Sequence, residues 1–351
     1  MQVESILSLA LGLIIFSFII TGVLVVPFID LLYKLKITRR KEAPKQGKIP
    51  LFDKLHDIKA GTPVGGGLLI IGSVSLLFLL LFPFASHMGV YIRSAFDFRV
   101  ELFLIFFTFI SFGLLGLSDD LIKIFGRPKQ GKMGLWYGIT RKSKFVLQWL
   151  LALFIGYVLN KRLGIEIVHV PLVDLTLNLG TFYIPLSALF IVTFSNAFNI
   201  TDGLDGLASG LLVICLITFG TIAAASLDTP LSLFISLWIG ALMAFIYFNI
   251  WPARIHLGDV GALSFGAMLA LIGLLTGSVV ALLVVGGIFF IEVASSAIQI
   301  FGWKVLKRPI FPIAPIHHTL LAIGWEEPKI VMRAWLAGMI LAIFGLWLAT
   351  I

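Results

Sequence analysis

The sequence predicts an all-α polytopic membrane protein of about ten transmembrane helices, organised as one integral membrane domain over residues 1–351. Three observations carry this reading. Hydrophobic residues make up 59% of the chain and charged residues 13%, with a mean hydropathy of +1.07, far from the balance of water-soluble domains. Apolar runs recur at a length of about 17 to 25 residues, which matches the hydrocarbon core of a bilayer. No stretch between them is long and polar enough to form a separate globular domain.

The first run, 6–32, follows MQVES, which holds an acid and no base. A cleavable leader would begin with positive charge, so this run reads as a retained helix. Runs at 66–88, 100–117, 145–159 and 182–198 follow. Residues 163–184 alternate apolar and polar side chains around turn formers, the pattern of a small outer-face β-hairpin, with Glu166, His169 and Asp174 at its surface. Runs at 208–225, 231–248, 261–277, 279–303 and 330–351 complete the bundle, and the weak break at Gly277 and Ser278 allows the eighth and ninth to merge. The single cysteine, Cys215, lies inside an apolar run and forms no intrachain disulfide.

Basic residues orient the bundle. Residues 33–65 carry nine Lys or Arg and residues 118–144 carry seven, whereas the second and fourth loops carry only Arg93, Arg99, Lys161 and Arg162. Because cytoplasmic loops are enriched in Lys and Arg, the odd-numbered loops face the cytoplasm and both termini lie outside. Lys304, Lys307 and Arg308 in the ninth loop agree. The net charge of +8 flanks membrane spans, where lipid and topology account for it, so nucleic acid is not a partner.

Polar residues with chemical potential gather on that cytoplasmic side. Asp119 and Asp120 follow the third span, Asp202 and Asp205 the fifth, and Asp259 the seventh; His317 and His318 lie in the ninth loop, and Lys59 and Thr62 in the first. Each motif alone also suits a helix cap, a turn or a solvated helix end, with Lys123 and Asp120 as a surface pair. The glycines of GTPVGGG suit flexible backbone or a cradle for phosphate. Five carboxylates on one face at a membrane boundary are costly without a counter-charge, and oxygen ligands point to Mg²⁺ or Mn²⁺. Glu292 and Gln299, seven apart in the ninth span, read as bundle-facing residues with structural partners. A transporter would place its acids at mid-membrane depth. Here they stand at span ends, which favours an enzyme.

The motifs GLSDDLIKI, NAFNITDGLDGLASG, NIWPARIHLGDVGALSFG and APIHHTLLAIGWEEP resemble the polyprenyl-phosphate N-acetylhexosamine-1-phosphate transferases. KAGTPVGGG and KRPIFPIAPIHH bring the resemblance closest to the phospho-N-acetylmuramoyl-pentapeptide transferase branch of peptidoglycan synthesis, over about residues 59–333. It implies ten helices in the bacterial cytoplasmic (inner) membrane, an active site facing the cytoplasm, Mg²⁺, a homodimer, and a ninth helix that bends into lipid. It implies transfer of phospho-N-acetylmuramoyl-pentapeptide from UDP to undecaprenyl phosphate, giving lipid I and UMP. The alternative is a sister transferase that uses UDP-N-acetylglucosamine.

The resemblance also assigns expected roles. Asp259 is the metal ligand, because Mg²⁺ takes only one or two protein carboxylates. Asp119, with Asp120, accepts a proton from the lipid phosphate or orients it. Lys123, Lys59, His317 and His318 neutralise phosphate charge. Asn199, Asp202 and Asp205 hold the nucleotide, and Thr62, Lys132, Asn249 and His256 complete substrate binding. Two departures stand out. Thr319 and Leu321 occupy positions where the family usually has histidine and glutamate, and His256 replaces an aromatic residue suited to stacking on uracil.

Overall fold

A computed structural model describes residues 2–39, 59–84, 91–126 and 140–351 of the chain. Lys132 lies outside the described residues. The helices are α1 (Gln2–Lys34), α2 (Gly66–Leu81), α3 (Phe98–Phe125), α4 (Arg141–Leu163), α5 (Tyr183–Thr201), α6 (Leu207–Ala225), α7 (Thr229–Asn249), α8 (Gly258–Leu275), α9 (Val279–Val285), α10 (Gly287–Phe301), α11 (Ile316–Ala322) and α12 (Glu327–Leu348). Ten helical segments among the described residues are long and apolar enough to cross a membrane. Between α4 and α5, strands β1 (Ile167–Val170) and β2 (Leu175–Asn178) form an antiparallel pair with His169 opposite Thr176.

Three boundaries differ from the hydropathy reading. The third apolar run ends at 117, but α3 continues to Phe125 and carries Asp119, Asp120 and Lys123 on its last two turns. Those side chains find partners there, so their polarity does not end the helix. The ninth span is interrupted. α9 stops at Gly286, α10 begins at Gly287, and a π-helical turn over Gly302–Leu306 extends it. The two histidines lie on α11 rather than in an open loop.

α8 is the most buried span, and α7 is buried along most of its length. Phe109, Phe234, Trp238 and Phe265 form an aromatic centre, with ring centroids 5.1 to 5.8 Å apart in mostly edge-to-face contacts. Lipid is as apolar as these side chains, so helix association relies on close backbone approach and buried hydrogen bonds. Ser17 donates to Leu237 O at 2.7 Å, Ser195 to Leu263 O at 3.0 Å and Ser264 to Phe109 O at 2.6 Å, each joining two helices.

The approach that positions the site occurs at Gly116. A Cβ there would lie 2.0 Å from Asp259 O, so only glycine lets α3 rest on the first turn of α8. Gly116→Val is expected to force the two helices apart. It should destabilise the protein by roughly 1–3 kcal/mol, as overpacked cores do. Thermal unfolding in detergent measures this, and an unchanged melting temperature would show that the contact does not constrain the bundle.

Candidate active site

Three helix ends bring the first group together. Asp119 and Lys123 stand one turn apart on α3, Lys144 stands in the first turn of α4, and Asp259 stands in the first turn of α8. Lys123 Nζ lies 2.9 Å from Asp119 Oδ2 and 2.8 Å from Asp259 Oδ2. Lys144 Nζ lies 2.8 Å from Asp119 Oδ2 and also pairs with Asp259 Oδ2. Both ammonium groups therefore bridge the same two carboxylates. Asn199 Nδ2, near the end of α5, donates to the second oxygen of Asp259 at 3.0 Å. Lys123 thus pairs with Asp119 and not in a surface pair with Asp120.

Asp120 is turned differently. Its Oδ2 accepts the backbone N–H of Val260 at 3.0 Å, so it caps the first turn of α8, the turn that carries Asp259. It is buried.

The second group centres on Lys59. Its Nζ donates to Asp205 Oδ1 at 2.7 Å, Glu327 Oε1 at 2.6 Å and Gly203 O at 3.3 Å. The other oxygen of Asp205 accepts from Ala253 N at 2.9 Å, and Asp205 N donates to Glu327 Oε1 at 2.6 Å. A cavity of about 410 Å³ opens beside this group, lined among others by Lys59, Gly203, Trp251, His318, Trp325 and Glu327. Lys59 Nζ sits 5.9 Å from the Trp251 ring centroid, within cation–π range.

The stretch from Asn199 to Asp205 joins the two groups, since its first residue holds Asp259 and its last holds Lys59. Asp202 lies between them. Burial raises its carboxyl to about 8; Lys59 and Arg39 oppose the rise, while Asp205 and Asp259 add to it. Burial also lowers the His256 imidazole to about 4, with Asp205 pulling the other way, so the ring is neutral at pH 7. His256 Nδ1 is 3.9 Å from Asp205 Oδ1, and only 14% of its side chain is exposed.

Several expected site residues prove to be committed to protein. Asn249 is buried; its Oδ1 accepts from Gly206 N and Ser209 Oγ, and its Nδ2 donates to Ile255 O. These bonds hold the 250–256 loop against α6. The glycine run is occupied likewise. Gly65 N and Gly66 N donate to His256 O, and Gly67 N to Leu257 O, so these amides do not cradle phosphate. Thr62 belongs to the same strap, its carbonyl accepting from Arg39 N.

His317 is fully buried, with Nδ1 2.9 Å from Glu292 Oε2 and Nε2 directed at Gly203, where a Cβ would lie 2.5 Å away. His318 lines the cavity, its ring centroid 4.3 Å from that of His317. Gln299 accepts from Ile310 N and Phe311 N and donates to Phe311 O, which fixes the turn after α10.

Residues 102–277 match the family model described as Glycosyl transferase family 4. The phospho-N-acetylmuramoyl-pentapeptide-transferase of Geobacillus sp. (strain WCH70) is 32% identical over 349 residues, 99% of each chain. That of Halalkalibacterium halodurans is 34% identical over 350 residues, 99% of this chain and 98% of the relative. The chain belongs to the phospho-N-acetylmuramoyl-pentapeptide-transferase family. The same-named protein of Clostridium perfringens, 34% identical over 320 residues, covers 91% of this chain and 90% of its own. Membership makes the protein a membrane-bound phosphoglycosyl transferase of peptidoglycan synthesis, and the two buried groups are its candidate active site.

Sequence reasoning passed over Lys144, Glu327 and Trp251. Lys144 entered only among the basic residues of the third loop, and Glu327 only inside the GWEEP motif. The available signal was that Asp202 and Asp205 had no cation near them in sequence and so needed distant ones.

The raised Asp202 carboxyl gives a signed pH effect. Between pH about 4 and about 8 the folded protein holds a proton at Asp202 that the unfolded chain has released, so this group's contribution to stability falls as pH rises through that window. Asp202→Asn removes the titration. Melting temperatures at pH 5 and pH 8.5 should then differ less in the variant than in the parent; equal differences would show that Asp202 does not titrate in this range.

Proposed function

We propose that the enzyme transfers phospho-N-acetylmuramoyl-pentapeptide from its UDP carrier to undecaprenyl phosphate on the cytoplasmic side of the bacterial inner membrane, releasing UMP. The observation that carries this reading is the pairing of Asp119 and Asp259 through Lys123 and Lys144 at the ends of membrane helices. An anionic lipid reaches such a position from the bilayer, and a nucleotide reaches it from water.

An oxygen of the lipid phosphate attacks the β-phosphorus of the UDP-sugar. A new P–O bond forms, the bond to the bridging oxygen breaks, and that oxygen leaves with UMP. Such a transfer depends on positioning and charge neutralisation. Asp119 takes the remaining proton of the lipid phosphate or orients it. Lys123 and Lys144 hold charge on the phosphoryl oxygens. Asn199 and Asp120 keep Asp259 in place, one through its side chain and one through the α8 backbone.

Lys59, Asp202, Asp205 and the cavity with Trp251 and His318 receive the nucleotide. His317, held by Glu292, supports His318 and Gly203 from behind. We place Asn249, Thr62 and His256 in support of these loops, and Lys132 among the cations near the substrate.

The family implies a divalent metal, and the donor set fits Mg²⁺. Asp119 and Asp259 present carboxylate oxygens at one point, where Lys123 and Lys144 now balance their charge. Mg²⁺ takes oxygen ligands, keeps several waters and needs only one or two protein carboxylates. Asp259 would hold it, with Asp119 adjacent. When bound, the ion supplies positive charge to the pyrophosphate.

Purified enzyme given UDP-N-acetylmuramoyl-pentapeptide, undecaprenyl phosphate and Mg²⁺ should release UMP and form lipid I. UDP-N-acetylglucosamine should be inert in its place, and turnover of that donor instead would move the enzyme to the sister class. Lys144→Gln leaves two carboxylates with one bridging cation and should lower kcat by at least ~10²-fold, the scale for losing one group that stabilises transition-state charge. Asp259→Asn should do the same. Retention of most activity in either variant would remove that residue from the mechanism.

A further inference from the structure

The α3–α4 pair carries a second feature at the end away from the carboxylates. A cavity of about 440 Å³ lies there, lined by Arg99 and Phe103 in the first turns of α3 and by Phe154, Tyr157 and Arg162 in the last turns of α4. Its floor is aromatic: the Phe103 and Phe154 rings meet edge-on at 6.3 Å, and Phe107 behind them meets Phe154 at a tilt, 4.9 Å between centroids. Phe103, Phe154 and Tyr157 are 48%, 43% and 52% exposed, so the groove opens toward the surroundings of the bundle.

Both spans are long enough to cross a bilayer, so the groove lies at the membrane boundary and lipid contacts its aromatic side. Neither arginine has a carboxylate at ion-pair distance among the described residues. Two arginines that line an apolar groove and have no acid at ion-pair distance among the described residues match a molecule with an anionic head and a hydrocarbon tail; Arg99 Cζ also lies 6.0 Å from the Phe98 ring centroid. Guanidinium is also the side chain best shaped to hold phosphate through paired N–H donors. Tyr157 adds a ring suited to the interface between hydrocarbon and head groups.

We propose that this groove binds an acidic phospholipid of the leaflet opposite the carboxylate cluster. The phosphate lies between Arg99 and Arg162, and one acyl chain runs over Phe103 and Phe154. An acidic head group is favoured over a zwitterionic one because it carries net negative charge to two cations, without an ammonium that they would repel; Asp97, two residues before Arg99, accepts the Arg99 N–H as the α3 cap.

The test uses the full-length protein, delipidated in detergent and titrated with phosphatidylglycerol or with phosphatidylcholine of the same chains, with adducts counted by native mass spectrometry. Phosphatidylglycerol should bind at least fivefold more tightly. R99Q/R162Q should lose about fivefold per arginine, roughly 25-fold for the pair, the scale of one basic side chain at an anionic lipid surface. K161Q, which removes a neighbouring charge outside the cavity lining, should bind as the parent does. Both arginines are exposed at helix ends, so these variants keep the fold, and an unchanged melting temperature confirms it. Equal binding of the two lipids, parental binding by R99Q/R162Q, or an equal loss in K161Q would overturn the proposal.

Discussion

The structure of the site depends on two lysines sharing two carboxylates. Asp119 and Asp259 lie on different helices, are largely buried, and approach the same pair of ammonium groups. Without those cations the like charges would repel at close range in a poorly screened setting. Other features serve the same junction. Gly116 admits the α8 backbone, and Asp120 caps α8. The positive end of the α8 dipole also favours a carboxylate in its first turn.

A second level of order surrounds this junction. Lys59 comes from the segment before α2 and ties the α5–α6 turn to the start of α12 through Asp205 and Glu327. Buried amides and acids that face no solvent secure the remaining loops: Asn249 behind the 250–256 turn, Glu292 behind His317, Gln299 beneath the turn after α10. In a site made of helix ends at a membrane boundary, directional bonds to backbone add rigidity to the apolar packing beneath it.

Much of this was legible beforehand. The ten spans, the hairpin and the aspartate motifs follow from local sequence, because hydrocarbon thickness sets run length and charge marks span ends. Legibility failed where a partner is remote. Lys144 lies 115 residues from Asp259 and resembles any orienting lysine; Lys59 and Glu327 are 268 residues apart. Asn249 and the glycine run show the opposite case: their chemistry suits a ligand, and the fold directs it to neighbouring backbone.

The sequence by itself determined the membrane class, the order of the helices and the family, since hydropathy and short motifs are local and survive without coordinates. Only the tertiary structure decided which carboxylate meets which lysine, that Asp120 caps a helix instead of joining Asp119, and that His317 is held behind Gly203. The reason is that electrostatic pairing acts over a few ångströms in space and is blind to separation along the chain.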